Sequence, residues 1–402
     1  MKIGIIHEGK NPPDKRVPFT PLQLAEIQES FADQLEIEVQ SSQIRSFTDQ
    51  EYLDAGLKVV DDISSCDILF GVKEVPIPSL IPNKTYFFFS HTMKKQEYNR
   101  PLLQALLQKN IRMIDYEALT NEEGVRVVAF GRWAGIVGAY NAFLTYGKKS
   151  GLYDIKEANE CFDLEELKQE LKKVELPPIK IILTGRGKVG KGAREVLEEI
   201  PIREVSEDEF RNNYFEEPVF TNLDSEEINK RKKDGGFDLQ EFYNQPELYE
   251  SDFRKYTEVA DILIGASYWD PKAPRLFELK DIQSEDFAIS VIADITCDID
   301  GSIPTTQRPS TIADPVYDVD RDSLEEIPPF SKQSSISVMA VDNLPCELPR
   351  AASDGFGAQL RQWVIPALLE ENAAILERAT ICRDGDLTLE FMRLKDFVEG
   401  KE

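Results

Sequence analysis

The first third of the chain alternates short apolar runs with segments of helical spacing. Ile3–His7 is an apolar run that predicts a strand, and Pro21–Ser30 has helical spacing behind Thr20, a fitting N-cap. Asp67–Val72, Thr85–Ser90 and Arg112–Asp115 are short apolar runs of the kind that form buried parallel strands. From Gly124 the residues become small and apolar, through Val127–Gly131 to Ala134-Gly135-Ile136, and predict a long helix crossing between two domains. A second succession begins with the strand Ile179–Thr184, passes through a glycine-rich loop into a helix ending near Glu198, and continues with strands at Asp261–Gly265, Ala288–Ile295 and Ile336–Val341. Such alternation is what a doubly wound sheet requires.

Two stretches depart from the alternation. Residues 204–256 are acidic, aromatic and turn-rich, with Asp234-Gly235-Gly236 and Asn244-Gln245-Pro246, and read as a solvated insertion. In the tail, Thr380–Phe391 has β-rich flanks around Arg383-Asp384-Gly385-Asp386, a hairpin signal. With 402 residues, two domains are the natural expectation.

Composition narrows the function. At 41% hydrophobic and 30% charged residues the chain is globular, and no apolar stretch is long enough for a membrane span. A net charge of −26 argues against nucleic acid as a partner, because phosphate binding needs a basic face. Five scattered cysteines without CxxC spacing argue against a disulfide framework and a zinc site, so no metal is expected. No leader pattern precedes the first strand, and cytoplasm is the expected compartment. The pattern sets no oligomeric state. Any anion this acidic chain binds must be met by a local concentration of positive charge.

The loop Gly185-Arg186-Gly187-Lys188-Val189-Gly190 follows a strand and opens a helix, the context that gives GxGxxG its mechanism. Gly185 permits the turn, Gly187 admits a pyrophosphate close to the backbone, and Gly190 lets helix pack on strand. A phosphate-loop reading fails at Gly192, where a Ser or Thr would have to hold magnesium. The acid that meets a ribose 2′-hydroxyl should end the next strand, near Ile202–Ser206, where Glu204, Ser206 and Glu207 compete. Arg186 and Lys188 are the candidates to meet a 2′-phosphate instead, so NAD and NADP both stay open.

Only two histidines exist. His7 carries no further cue. His91 ends the aromatic strand Tyr86–Ser90, with Lys94 and Lys95 close behind, and Lys73 ends the neighbouring run beside Glu74. Two proton-transfer groups at adjacent strand ends form a candidate catalytic pair. Arg16, Arg126 and Arg132 are candidate anion holders, and the planar fork of Arg16 suits a carboxylate.

Arg16-Val17-Pro18-x-Thr20-Pro21, Gly71-Val72-Lys73-Glu74, Phe89-Ser90-His91-Thr92-x-Lys94-x-Gln96 and Gly124–Gly131 together resemble the lysine-forming saccharopine dehydrogenases. They are closer still to the lysine–2-oxoglutarate reductase half of aminoadipic semialdehyde synthases, within the alanine dehydrogenase-like superfamily. Ser267-Tyr268-Trp269, Asp294-Ile295 and Val341–Pro345 continue the likeness, which runs to about residue 365 with no matching motif beyond Ala374. The resemblance implies an α/β fold of two Rossmann-like domains with parallel sheets, the C-terminal segment returning to the first. On that basis residues 1–135 plus 350–402 would form the substrate domain, and 136–349 the dinucleotide domain with its 204–256 insertion.

The resemblance also implies a reaction, saccharopine + NAD(P)+ + water to and from lysine + 2-oxoglutarate + NAD(P)H. Lys73 would deprotonate the secondary amine, and His91 would move protons during hydration of the imine. Arg16, Glu74, Lys94, Gln96, Glu117, Arg126 and Phe130 would form the substrate pocket. NAD or NADP would lie on Gly185–Gly190 with Tyr268 and Asp294 nearby, and Asp342, Asn343, Leu344 and Pro345 beside the nicotinamide. As a base Lys73 needs a depressed pKa, which Arg16 and Lys94 favour and Glu74 opposes. Alternatives from other classes are an alanine dehydrogenase, which shares a lysine, a histidine and the RVxxTP arginine, and a non-catalytic dinucleotide-binding relative.

Overall fold

The computed structural model describes residues 1–370 and 373–401. The chain divides into two compact units, Met1–Phe130 joined by the segment that starts at Pro349, and Gly131–Leu348.

Each unit is built on an eight-stranded sheet. In the first, six parallel strands lie in the order Lys58–Val60, Glu36–Gln40, Lys2–Ile5, Ile68–Phe70, Thr85–Phe88, Arg112–Asp115. This is the 3-2-1-4-5-6 order of a Rossmann sheet. Two antiparallel strands, Thr380–Arg383 and Asp386–Leu387, extend its far edge. Asp384 and Gly385 make the turn of that hairpin with φ of +52° and +78°. The predicted helix Pro21–Ser30 is present, and Thr20 and Gln23 cap each other reciprocally.

The long helix Pro349–Leu368 completes this unit. Ser353 Oγ accepts from the Val17 amide at 2.9 Å, Gln23 donates to the Asp354 carbonyl at 2.8 Å, and Gln359 accepts from the Ala129 amide at 2.8 Å. The segment thus closes the hydrogen bonding of loops more than two hundred residues earlier in the chain.

In the second unit the parallel strands run Arg203–Glu204, Val219–Leu223, Lys180–Thr184, Ile262–Gly265, Val291–Asp294, Ile336–Met339, followed by antiparallel Val316–Val319 and Glu326–Ile327. Strand order reverses between Lys180–Thr184 and Ile262–Gly265, the switch point where doubly wound sheets open a crevice for ligands. One expectation is corrected here. Residues 204–256 are not a single insertion, because Val219–Leu223 pairs over its full length with Lys180–Thr184 in the middle of the sheet. Only the chain after Leu223 leaves the sheet.

The helix Gly131–Ser150 packs on the helix Lys188–Glu199 at backbone contact. A Cβ at Gly135 would fall 2.0 Å from the Val189 carbonyl oxygen, and one at Gly192 would fall 2.0 Å from the Arg132 carbonyl oxygen. Neither obstacle is a flexible side chain, so the helices would have to separate. Gly135→Ala is therefore expected to cost about 1–3 kcal/mol despite the better helix propensity of alanine. Chemical denaturation of purified protein measures this. An unchanged midpoint would show that the contact is not limiting.

Candidate active site and dinucleotide site

Ile68–Phe70 and Thr85–Phe88 are parallel neighbours, so the residues that follow them leave the first sheet at one edge. Lys73-Glu74 and His91 accordingly come together, with His91 Nδ1 2.6 Å from Glu74 Oε1. Lys10 donates to the other Glu74 oxygen at 2.7 Å. Burial alone would raise the Glu74 pKa, but the hydrogen bonds from His91 and Lys10 outweigh it and hold the group at about 2. A carboxylate only accepts, so His91 Nδ1 carries the hydrogen and Nε2 is left for proton transfer. His91 itself sits at φ +54°, a sparsely populated conformation of the kind that gathers at functional sites.

Lys73 is half-buried beside this pair. Burial first, then the positive charges of Arg16 and Lys10, push its pKa below the ordinary lysine value, against the opposing pull of Glu74 and Asp14. The balance falls on the side a general base needs. The second cation is Lys10, not Lys94. Beneath Lys73, the buried Glu8 accepts from the Val72 and Lys73 amides at 2.7 and 3.0 Å. Burial, and then Asp14, raise the Glu8 carboxyl to about 8.

The expected substrate residues divide. Arg16 is 2% exposed, and its fork is closed on Asp14, with Nε and Nη2 at 3.0 and 2.6 Å from the carboxylate oxygens. Its guanidinium also lies 4.2 Å above the Phe130 ring. Asp14, two residues upstream, engages the fork that the sequence offers to a substrate carboxylate. Glu74 is likewise engaged by His91 and Lys10. Arg126 lies over Phe89 at 5.3 Å, donates to the Val128 carbonyl at 2.9 Å and is 3.9 Å from Glu117. Phe89 in turn stacks toward His91 and meets Phe130 at 6.0 Å, which gathers His91, Arg126 and Phe130 around one ring. Lys94 and Gln96 are exposed on the turn that follows His91.

In the second unit a cavity of about 450 Å³ opens at the switch point, lined by Gly185–Val189, Asp224 and Tyr268 among others. Gly185 has φ +88°, and a Cβ there would meet the Ala266 carbonyl oxygen at 2.9 Å. A Cβ at Gly187 would meet nothing within 4 Å, so the backbone is open to a ligand. Gly187 is also the N-cap of Lys188–Glu199 without a side-chain capping bond, which leaves the first amides of the helix for an anion. Ser267 Oγ is buried in the same wall with no hydrogen-bond partner among the described residues. An open glycine, uncapped helical amides and an unpartnered hydroxyl fit a dinucleotide pyrophosphate.

The acid that ends the neighbouring strand is Asp224, after Val219–Leu223, because the short strand Arg203–Glu204 lies one place farther out. The three expected candidates are engaged elsewhere: Glu204 with Arg194, Ser206 as a helix cap, and Glu207 as acceptor from Tyr256. Arg186 donates to Glu227 at 2.8 Å and to the Asn222 carbonyl at 3.0 Å.

Asp294 is fully buried and spends its oxygens on Thr296 and Thr306, so it supports a loop and does not line the cavity. Asp342 is exposed, Asn343 half-buried, and Leu344 and Pro345 buried, all outside that lining. Among the described residues no group of three or more His, Cys, Asp or Glu is placed to hold a metal, and no helix is long and apolar enough to cross a membrane.

Residues 4–137 match the alanine dehydrogenase/PNT N-terminal domain, and 174–390 match the C-terminal domain of the same family. The chain belongs to the alanine dehydrogenase/PNT family, whose NAD(P)-dependent oxidoreductases work through Rossmann-like domains. It is 30% identical to the mitochondrial alpha-aminoadipic semialdehyde synthase of Bos taurus, over 100% of this chain and 48% of that protein. It spans about half the length of that relative, and the likeness extends through the tail that carries no recognised motif. It is 27% identical to the NAD(+)-dependent, L-lysine-forming saccharopine dehydrogenase of Schizosaccharomyces pombe, over 92% of this chain and 94% of that one. A solved L-alanine dehydrogenase shares the fold with a TM-score of 0.67 at 17% identity, covering 99% of this chain and 100% of that one.

Gly187→Val places a branched side chain where the pyrophosphate would approach but meets no protein atom at its Cβ. It is expected to leave the thermal midpoint within a few degrees of wild type and to weaken NAD(P)H binding by roughly tenfold or more. Scanning calorimetry reads the first and calorimetric titration the second; unchanged affinity in the folded variant would make the loop merely structural.

Proposed function

We propose that this chain interconverts saccharopine with lysine and 2-oxoglutarate: saccharopine + NAD(P)+ + water to and from lysine + 2-oxoglutarate + NAD(P)H. The observation that carries the reading is the arrangement of Lys73 beside the Glu74–His91 pair. Oxidation of a secondary amine followed by hydrolysis needs one group that is neutral and basic, and a second that passes protons to and from water. Lys73, with its depressed pKa, and His91, oriented by a permanent carboxylate, are such a pair. Relatives named for saccharopine and aminoadipic semialdehyde chemistry support the choice of substrate.

Gly185–Gly190 would hold the dinucleotide, which would supply the hydride acceptor or donor. Lys73 Nζ takes the amine proton as the C–N bond of saccharopine becomes an imine. His91 Nε2 takes one proton from the water that adds to the imine carbon and returns it to the nitrogen; as the carbinolamine parts, its hydroxyl proton passes by the same imidazole to that nitrogen, which leaves as the lysine amine from 2-oxoglutarate. Glu74 and Lys10 fix the imidazole for that exchange, and Glu8 holds the Lys73 backbone. Arg126 and Lys94 are the cations assigned to the substrate carboxylates, and Arg16 packs its guanidinium on the Phe130 ring.

Asp224 is the group for a ribose 2′-hydroxyl, with Glu226 and Glu227 close in sequence and Arg186 already paired to Glu227. That acidic corner favours NAD(H) over NADP(H), since a 2′-phosphate would meet like charge.

Loss of reduced-nicotinamide absorbance with lysine plus 2-oxoglutarate tests the reading, with ammonia plus pyruvate as the competitor. The first pair should be turned over, and His91→Gln should lower that turnover roughly 100- to 10,000-fold with little change in NADH affinity. Faster consumption with ammonia and pyruvate would replace the assignment by an alanine dehydrogenase.

A further inference from the structure

Between Asp224 and the strand Ile262–Gly265 the chain makes an excursion that the sheet does not need. It is ordered by a small core of its own. Asn229–Arg231 and Tyr249–Ser251 pair antiparallel, with Arg231 opposite Tyr249. Tyr249 is 1% exposed, and Phe237 and Phe242 meet its ring edge-on at 5.4 and 5.1 Å. Its hydroxyl and Arg231 Nε both donate to Glu241 Oε2 at 2.5 Å. Asp238 caps the helix Leu239–Asn244 that carries Phe242 and Tyr243. A merely solvated excursion would have no reason to build such a network.

The ordered helix has a consequence at the cavity. Phe242, Tyr243 and Pro246 line the same 450 Å³ space as Gly185–Val189 and Asp224. Tyr243 is 64% exposed, and Tyr268, in the loop after Ile262–Gly265, is 88% exposed in that lining. Large aromatic rings left open beside a cavity are stacking platforms awaiting a flat partner. A dinucleotide supplies one in a fixed order. With the pyrophosphate at Gly187 and the ribose at Asp224, the next group outward is adenine. The residues that follow Asp224 in the lining, Ser225 and Ile228, lead directly into the excursion. Adenine is uncharged, so stacking can recognise it where the acidic surroundings would repel an anion.

We propose that the excursion is the adenine wall of the dinucleotide site, with Tyr243 stacking on the base and Phe242 and Pro246 supplying apolar contact. This rests on the reading that a dinucleotide occupies the cavity. It replaces the sequence expectation of a solvated insertion by a binding element specific to this chain's excursion. Tyr243 touches the half of the cofactor that takes no part in hydride transfer, so its contribution is to affinity and not to chemistry.

Titrations of AMP, NADH and reduced nicotinamide mononucleotide, which lacks the adenosine, separate the possibilities in the intact chain. Wild type should bind all three. Tyr243→Ala should weaken AMP and NADH by about five- to tenfold and leave the mononucleotide unchanged, and Tyr243→Phe should restore both. Wild-type affinities in Tyr243→Ala, or equal losses for all three ligands, would overturn the adenine wall. So would a wild-type chain that binds the mononucleotide but not AMP, with the glycine-loop reading left standing. Failure of wild type to bind any of the three would remove the dinucleotide reading and the wall with it.

Discussion

Two helices whose backbones touch set the geometry of the dinucleotide unit. Gly135 and Gly192 leave no side chain between Gly131–Ser150 and Lys188–Glu199, and Gly190 packs with equal closeness against the carbonyl of Gly185. A helix N-terminus can hold an anion only if its first amides point to one fixed place. Here that place is set from two sides, by the strand Lys180–Thr184 that feeds the loop and by the helix that crosses it. Openness at Gly187 and close packing at Gly185, Gly190 and Gly192 are therefore two parts of one arrangement. The bound group gains an approach to the backbone because everything else around that backbone is already filled.

Charge in the first unit follows a similar economy. With a net charge of −26, cations are placed where they alter particular neighbours. Glu74 and Glu8 show the result, two carboxyls around Lys73 with opposite shifts. Glu74, touched by His91 and Lys10, stays ionised down to about 2, while Glu8, desolvated and facing Asp14, keeps its proton up to about 8. Between the ordinary glutamate value and pH 8 the folded chain thus holds a proton at Glu8 that the unfolded chain has lost. Stability contributed by that proton is complete at acid pH and declines as pH rises through this window. Groups of one kind pushed apart by their surroundings are a mark of acid–base sites.

Much of this was legible in the sequence, for definite reasons. Strand-end logic brought Lys73 and His91 together because both follow short apolar runs, and adjacent parallel strands do deliver their C-terminal residues to one edge. Thr20 announced its helix, and Asp384-Gly385 its hairpin. The failures have physical causes. Glu36–Gln40 did not read as a buried strand because Glu38 is charged, yet its carboxylate is buried between Lys2, at 2.9 Å, and Lys58. Val219–Leu223 is hidden among acidic neighbours, so Asp224 at its end does not stand beside Glu204, Ser206 and Glu207 as a ribose candidate. The pairing of Arg16 with Asp14 depends on tertiary packing that no local pattern encodes. The aromatic residues of the excursion pack around the buried Tyr249, a non-local arrangement that their turn-rich sequence does not signal.

Lys73, its pKa depressed by burial and by Arg16 and Lys10, is the base proposed to begin amine oxidation. The pH dependence of kcat/KM for saccharopine oxidation tests it most directly, in wild type and in Lys73→Met. Wild type should rise with pH along a limb centred below the ordinary lysine value, since only the neutral amine can accept the proton. Lys73→Met should lose that limb and roughly 100-fold or more of the rate, with dinucleotide affinity retained. A variant that keeps both the limb and the rate would show that the proton goes elsewhere, and the assignment of Lys73 would fall.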